Sequence, residues 1–574
     1  MGHVAIQSST TMVGRDAELT EIASSLGVRP SRGADALSDV LLSGDAGVGK
    51  TRLLRALRDL AKADGWQVYA GHCLDFGDSA LPYLPFSEVL GRLATEVPDV
   101  LTEVAARHPA LTRLQPVRRV MGDSDQVDAE SSALDRADLF RAVLAVLEAA
   151  AARSPLLLVI EDTHWADQST RDMLSFLLSR IDAAGFAIVA SYRSDDLHRR
   201  HPLRRQVAEW SRLRGVDRIS LHPLPDDAVR QLVAELIPGG LPEAEIADVV
   251  ARAEGNAFFV EELTSAAADP GSFVPADLAD VLLVRLDRLD DHARQVVRTA
   301  SASGRRVTHG LLEATADLAS DALDEGLRGA VEMNVLVPER DGYAFRHALL
   351  GEAVYDDLLP GERARLHARY VDALRDGTAR GTAAELARHA RLAMDRTTAL
   401  TASVRAGNEA SAVGGHDEAA YHYQQALELL SGRSALSAES LADHGIDLSK
   451  LVVTTAEALT ASGDPERAVG VIAEQLAVLP AEASDTWRAR MLSAQAAALH
   501  VTESDQDVVA LSARALALAP QGDSGLRARV LANHARILAA HGRLDEAQTH
   551  GVDALELAER LDLHELASDA ITTL

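Results

Sequence analysis

Residues 44–51 read Gly-Asp-Ala-Gly-Val-Gly-Lys-Thr, the spacing Gly-x-x-x-x-Gly-Lys-[Ser/Thr] of a loop that cradles phosphates. Gly44, Gly47 and Gly49 let the backbone curl until several N–H groups face one anion, and the following helix adds its positive end. The expected binding stretch is Gly44, Asp45, Ala46, Gly47, Val48, Gly49, Lys50, Thr51 and Arg52. Lys50 is expected on the β- and γ-phosphates, and the Thr51 hydroxyl on Mg²⁺. A second group is Leu156-Leu157-Leu158-Val159-Ile160-Glu161-Asp162, an apolar strand ending in two carboxylates. Beside a phosphate loop, one acid can hold Mg²⁺ and the other can orient or deprotonate the attacking water. Glu161 is assigned to the metal and Asp162 to the base; the reverse pairing stays open. Arg193 closes a third apolar run, Ala187–Ala190 then Ser191-Tyr192, where it can sense the γ-phosphate or pair with Asp195 or Asp196. Lys50, Glu161, Asp162 and Arg193 are therefore the catalytic candidates for an ATP/ADP site.

Other tempting residues carry less. His164 and Trp165 follow the acidic pair and are expected to pack or to line the cleft. The 20 histidines show no His-Glu-x-x-His or Cys–His spacing, which argues against zinc. Neither a Gly-x-Ser-x-Gly elbow nor a kinase loop set is present.

The elements that must position these groups are legible as short apolar runs between helical stretches. Val40–Leu42, Gln67–Ala70, Leu156–Ile160, Ala187–Ala190 and Arg218–Leu221 predict strands, and Arg52–Ala61 a helix. That alternation implies an α/β P-loop NTPase domain with a parallel sheet over residues 1–221. Arg29–Ser38 and Gly122–Arg136 read as surface loops. Apolar spacing in 222–268 predicts a small helical domain, closed by the Asp269–Pro275 linker. In 276–375, Val335–Pro338 and Tyr343–Phe345 flank an Asp341-Gly342 turn, and two strands after helices predict a winged-helix domain. Past a break at Asp376–Thr382, residues 383–574 are amphipathic helix throughout. Gly414-Gly415-His416-Asp417-Glu418-Ala419, Gly463-Asp464-Pro465-Glu466-Arg467-Ala468 and Gly542-Arg543-Leu544-Asp545-Glu546-Ala547 repeat one theme, so a TPR-like α-helical solenoid is expected, its middle unit worn down around Val508–Leu518. The helical pattern runs uncapped to Leu574, which predicts that the repeats continue in a longer protein.

Bulk properties narrow the partners. At 574 residues, roughly three to five domains are expected. The 57 basic and 86 acidic residues give a net charge of −29, which repels phosphate backbones and predicts no nucleic-acid contact from these residues. The single cysteine, Cys73, excludes an internal disulfide and is expected as a small buried hydrophobe. Without a signal pattern or a membrane-length apolar run, a soluble cytoplasmic protein without membrane contact is expected.

With these residues assembled, the chain resembles the STAND-class signalling ATPases, specifically the large ATP-binding transcriptional regulators of the LuxR type. Val13-Gly14-Arg15-Asp16-Ala17-Glu18-Leu19 is similar to the family's Gly-Arg-x-x-Glu-Leu motif near the adenine, so Val13, Gly14 and Arg15 join the candidate nucleotide contacts. Gly71-His72-Cys73, then Leu81-Pro82-Tyr83-Leu84-Pro85-Phe86, resembles the segment between its two nucleotide motifs. Ile160 to Asp167 resembles its Asp-Asp-x-His-Trp-Ala-Asp signature, with Glu161 for the first Asp. Leu221-His222-Pro223-Leu224 resembles the start of its small helical domain. Glu254-Gly255-Asn256-Ala257-Phe258-Phe259 resembles the Gly-Asn-Pro-Phe-Phe motif, with Ala257 for the proline. Phe345-Arg346-His347-Ala348-Leu349-Leu350 resembles its winged-helix segment, and a histidine there implies His347 on the diphosphate of ADP. The family's C-terminal helix–turn–helix has no counterpart before Leu574, so DNA would be reached through a domain missing from these residues.

The resemblance implies an ATP/ADP-dependent switch that regulates transcription. ADP holds it closed, an unknown inducer (small molecule or protein) on the helical repeats opens it, the ATP form self-associates, and slow hydrolysis resets it. Three alternatives stay open: a constitutive ATPase, a repeat scaffold with structural nucleotide, or the same ATPase module driving a cyclase or kinase output.

Overall fold

Strands buried on both faces must be apolar nearly throughout, and the sequence supplies five such segments. In the computed structural model they are β1 Asp39–Gly44, β2 Gln67–His72, β3 Leu156–Glu161, β4 Phe186–Arg193 and β5 Val216–Ser220. The residues described are 12–28, 38–73, 81–114, 136–180, 185–198, 201–267, 286, 289–430, 445–477, 484–502 and 506–574. The 269–275 linker, and the two expected loops apart from Ser38 and Arg136, fall outside them. Arg136 itself opens the Arg136–Ala151 helix, not a loop, because Leu139, Ala142, Val143 and Val146 follow at helical spacing and are buried.

All four strand pairings are parallel, in the order β2-β3-β4-β1-β5. The carboxyl ends of β3, β4 and β1 therefore lie side by side, with Ile160 opposite Ala190 and Gly44 opposite Arg193. The chain leaving β1 crosses to the far edge of the sheet, making a switch point at which open α/β sheets bind ligands. β1, β3 and β4 are buried along their whole length, whereas edge strand β5 exposes Asp217 and Arg218. Strand β5 begins at Val216, two residues before the expected start, because Val216 pairs with Asp39. The Asp16–Ser25 and Lys50–Ala63 helices close one face, packing Ile22, Leu53, Leu54 and Leu57 on Val40, Leu42, Val159 and Val189. Each of these side chains contributes about 1.5–3 kcal/mol by leaving water.

At the opposite, amino end of β1, Asp39 is buried and accepts one hydrogen bond, from the Ile188 N–H at 2.7 Å. Burial pushes its carboxyl up to about 7, and the Ile188 bond only partly opposes this.

Three helices follow the sheet: Asp226–Leu236, Glu243–Ala253 and Ala257–Ala267. Their shared core includes Val229, Leu232 and Leu263, together with Val13 from the start of the chain. Beyond them, helices surround a three-stranded antiparallel sheet, β6 Arg306–Thr308, β7 Leu336–Pro338 and β8 Gly342–Phe345, ordered β6-β8-β7. Two strands were expected here. β6 escapes a sequence reading because its three residues hold one buried apolar side chain, Val307. At Gly342 a side chain is impossible, since a Cβ would lie 2.2 Å from the Val307 carbonyl oxygen.

The chain divides into two compact units, and residues 137–381 belong with the sheet. The second unit, mainly 395–574, is helical. Among the described residues, six of its helices start on an Asp or Ser whose side chain accepts the N–H three residues on: Asp395, Asp447, Asp464, Ser484, Asp507 and Ser524. Gly414, Gly463 and Gly542, the three glycines of the repeated theme, all adopt left-handed φ between 75° and 91° at turns between successive helices. Gly407 lets the Arg396–Ala412 helix close on Tyr423, where a Cβ would sit 2.4 Å from the ring.

Candidate nucleotide site

The loop between β1 and the Lys50–Ala63 helix is held from two sides. From the end of β4, Asp195 Oδ2 accepts the Ala46 N–H at 3.2 Å and Ser194 Oγ donates to Asp45 Oδ1 at 2.6 Å. From the helical segment, Asn256 Nδ2 donates to the Ala46 carbonyl at 2.8 Å and the Phe258 N–H to the Gly47 carbonyl at 3.1 Å. Gly47, at φ 77°, admits this clamp because a Cβ would lie 2.6 Å from Asn256 Oδ1. Gly255 is similarly pressed on Leu224, whose carbonyl oxygen would lie 2.3 Å from a Cβ, and this fixes the turn that presents Asn256.

Lys50 curls back on the loop, its Nζ donating to the Gly44 and Asp45 carbonyls at 2.7 and 2.8 Å. Burial lowers its ammonium to about 8, against the opposing pull of Asp162, Asp195 and Asp45. Thr51 is exposed one residue into the helix. Arg52 pairs with Glu261 at 2.8 Å. Arg15, nearly buried, donates to the His222 carbonyl at 2.5 Å and the Val48 carbonyl at 3.3 Å, so the N-terminal motif ties loop to helical segment. Gly14, at φ 65°, lies against Ala228.

The two acids diverge. Glu161 lies 3.5 Å from Arg58 and 3.7 Å from His72, whose ring in turn meets Glu88 at 2.9 Å. Asp162 takes a left-handed φ of 60°, its N–H on Ser191 Oγ, and its carboxylate accepts a hydrogen bond from Arg305. Asp162 is the acid whose charge reaches Lys50 and His164. His164 is buried, its ring tilted against Trp165 with centroids 4.5 Å apart; burial drives its imidazole down to about 3, so it is neutral. Arg193 lies over the Trp165 ring at 4.9 Å and pairs with Asp196 at 3.6 Å and Glu352 at 3.5 Å. Cys73 donates its N–H to the Glu161 carbonyl, and burial lifts its thiol well above the usual range.

His347 sits beside the elements that hold the loop, its ring tilted against that of Phe258 with centroids 4.2 Å apart and its Nε2 3.6 Å from Glu261, the partner of Arg52. Burial alone would raise Glu261, but His347, Arg52 and Arg346 outweigh it and bring the carboxyl to about 2. The fold thus gathers the loop, Asp162 and Arg193 at one edge, while Glu161 turns toward Arg58 and His72.

This edge suits a polyphosphate with Mg²⁺. A carboxylate already rests on a loop N–H as a phosphate oxygen would, and a hydroxyl with one or two carboxylates is the sparse protein donor set Mg²⁺ takes. Sequence reasoning missed Asn256 as a clamp, Glu261, Arg305 and Glu352, and it offered Asp195 as a partner of Arg193, where the structure puts Asp196 on Arg193 and Asp195 on the loop. Of the missed residues, Asn256 carried a signal, its place in the Gly255-Asn256-Ala257-Phe258 run.

Among the described residues, no helix is long and apolar enough to cross a membrane. An uncharacterized protein of Rhizobium meliloti (strain 1021) is 29% identical over 430 residues, 68% of this chain and 40% of its own length, so the chain spans about two fifths of that relative. Among solved structures, a signal transduction ATPase with numerous domains and a tetratricopeptide repeat sensor from Pyrococcus horikoshii aligns with TM-score 0.44 and 14% identity, over 99% of this chain and 80% of that one. The RuvB Holliday junction branch migration motor of Thermotoga maritima aligns with TM-score 0.26 and 16% identity, over 58% of this chain and 92% of that one. Residues 11–189 match the family described as the AAA ATPase domain, and with their parallel sheet and phosphate loop they form a P-loop NTPase domain.

Proposed function

We propose that the chain is a nucleotide-operated signalling switch of the STAND class, whose output is transcription. The observation that carries this reading is the double grip on the phosphate loop: Ser194 and Asp195 hold it from the sheet, Asn256 and Phe258 from the helical segment. A loop held by two separate segments couples its occupant to their relative position, which a switch requires and a simple hydrolase does not.

The roles then follow. The loop N–H groups and Lys50 bind the phosphates of ATP or ADP. Thr51 and Glu161 would hold Mg²⁺, Glu161 on leaving Arg58 and His72, and the ion would neutralise phosphate charge. Asp162 takes the proton as water attacks the γ-phosphorus and the bond to the ADP oxygen breaks; Arg193 meets the γ-phosphate. Val13, Gly14 and Arg15 border the base, and His347 in the winged-helix domain meets the diphosphate of ADP. Slow turnover resets the switch. The TPR-like repeats receive the inducer, the ATP form self-associates, and DNA is read by a domain outside these residues.

The test is to denature the purified chain and identify the released nucleotide by chromatography, with Lys50→Ala in parallel. Near-stoichiometric ADP from the parent is expected, with affinity reduced about 100-fold or more in Lys50→Ala, roughly 2.7 kcal/mol. An empty parent that turns over added ATP at once favours the constitutive ATPase. Equal nucleotide content in both chains sinks the site assignment.

A further inference from the structure

Two of the chemistry-bearing side chains are already engaged by charges of opposite sign from residues 305–352. Arg305, immediately before β6, donates to the Asp162 carboxylate at the end of β3. Glu352, on the Ala348–Asp357 helix, lies 3.5 Å from Arg193 at the end of the adjacent β4. A third pair, Arg306 with Glu88 at 3.9 Å, reaches the Glu88–His72–Glu161 chain.

These charges ride on one body. The Phe345 N–H donates to the Arg305 carbonyl, and Gly351 presses its helix on the Phe345 ring, where a Cβ would sit 2.9 Å away. Arg305 and Glu352 are thereby fixed relative to one another, as Asp162 and Arg193 are fixed by the pairing of β3 with β4. Of the two, the Arg305–Asp162 contact is the better buried, with side-chain exposures of 18% and 9%, and is screened least by solvent. Glu352 is half-exposed and contributes less.

We propose that Arg305 and Glu352 form a two-charge latch that disables the acid and the phosphate-sensing arginine in one movement. A carboxylate oxygen that already accepts a guanidinium N–H is blocked from the water whose proton it would take. Arg193, already beside Asp196, has less charge left for a γ-phosphate once Glu352 also holds it. Turnover then requires the 305–352 body to lift, freeing Asp162 from Arg305 and Arg193 from Glu352 together, while Asp196 stays beside Arg193. Arg305 acts through Asp162, without touching substrate. The inference rests on the nucleotide reading of this edge and adds how that edge is kept silent.

The experiment compares the full chain with its Arg305→Ala, Arg305→Lys and Glu352→Gln variants by steady-state ATP turnover, and by hydrogen exchange without nucleotide at the Asp162 and Arg193 amides, which bond to Ser191 and His164 beneath the two charge pairs. For Arg305→Ala, kcat is expected to rise about fivefold or more, with KM for ATP within twofold, while protection of those two amides falls about tenfold. Arg305→Lys keeps the charge and should stay near the parent in both readouts. Glu352→Gln should raise kcat by a smaller factor. A parent that binds no nucleotide overturns the reading of the site and the latch with it. A parent that binds and hydrolyses ATP, with Arg305→Ala matching it in kcat and in the protection of those amides, overturns the latch alone.

Discussion

Asp39 is buried and Glu261 nearly so, in the same unit, yet their protons are pulled in opposite directions. Asp39 sits alone at the amino end of the central strand, meets one backbone N–H, and is raised to about 7. Glu261, its side chain 12% exposed, faces Arg52 of the phosphate-loop helix and Arg346 and His347 just after β8, and falls to about 2. Burial sets the size of the stakes, and the neighbouring charges decide their sign. The lone acid belongs to the end of the sheet away from the phosphate loop; the ringed acid joins the elements that surround it.

Replacing Asp39 tests the first half of this contrast and should have the largest effect. The folded carboxyl keeps its proton between its ordinary 3.8 and about 7, whereas the unfolded chain has lost it, so stability falls as pH rises through that window. Three units correspond to up to about 4 kcal/mol. Asp39→Asn keeps an oxygen for the Ile188 N–H, so its urea midpoint should be flat from pH 4 to 8, where the parent declines. An equally sloping variant would mean that the slope originates elsewhere.

Glu261→Ala tests the second half. It leaves Arg52 and Arg346 without the carboxylate they share with His347 and should cost about 3 kcal/mol in urea unfolding at pH 7. The sign with pH is the reverse of Asp39: the contribution is complete above the ordinary 4.5 and is lost as pH falls toward 2. At pH 2 parent and variant should therefore converge.

The smallest change removes the imidazole from this ring. His347→Ala takes away the leading influence that lowers Glu261, and the acid limb of unfolding should move up by about one pH unit or less. An unmoved limb would assign the ring to the two arginines alone.

How much of this was legible in the sequence follows from the distance between partners. The phosphate loop and the acidic strand are local: Gly44 to Thr51 and Leu156 to Asp162 carry their chemistry in consecutive residues, and runs of buried apolar residues announce a parallel sheet. The glycine turns at 414, 463 and 542 were legible because one positive-φ residue is a local demand. What escaped is made by residues far apart. Arg305 and Asp162 are separated by 143 positions, Asn256 and Ala46 by 210, and nothing beside Arg305 distinguishes it from any basic residue in a turn. The divergence of Glu161 from Asp162 was equally hidden, since it depends on Arg58, His72 and Arg305 arriving from three other elements.

Cys73 has a practical corollary. It is the only thiol in 574 residues, it is 3% exposed, and its thiolate form is suppressed by burial. Alkylating reagents need the thiolate and a path to it, so the native chain is close to silent toward maleimides. A pair of cysteines placed on exposed positions of the sheet and of the 305–352 body would thus take up dyes without further engineering, and the distance between those two bodies could be followed in single molecules during turnover.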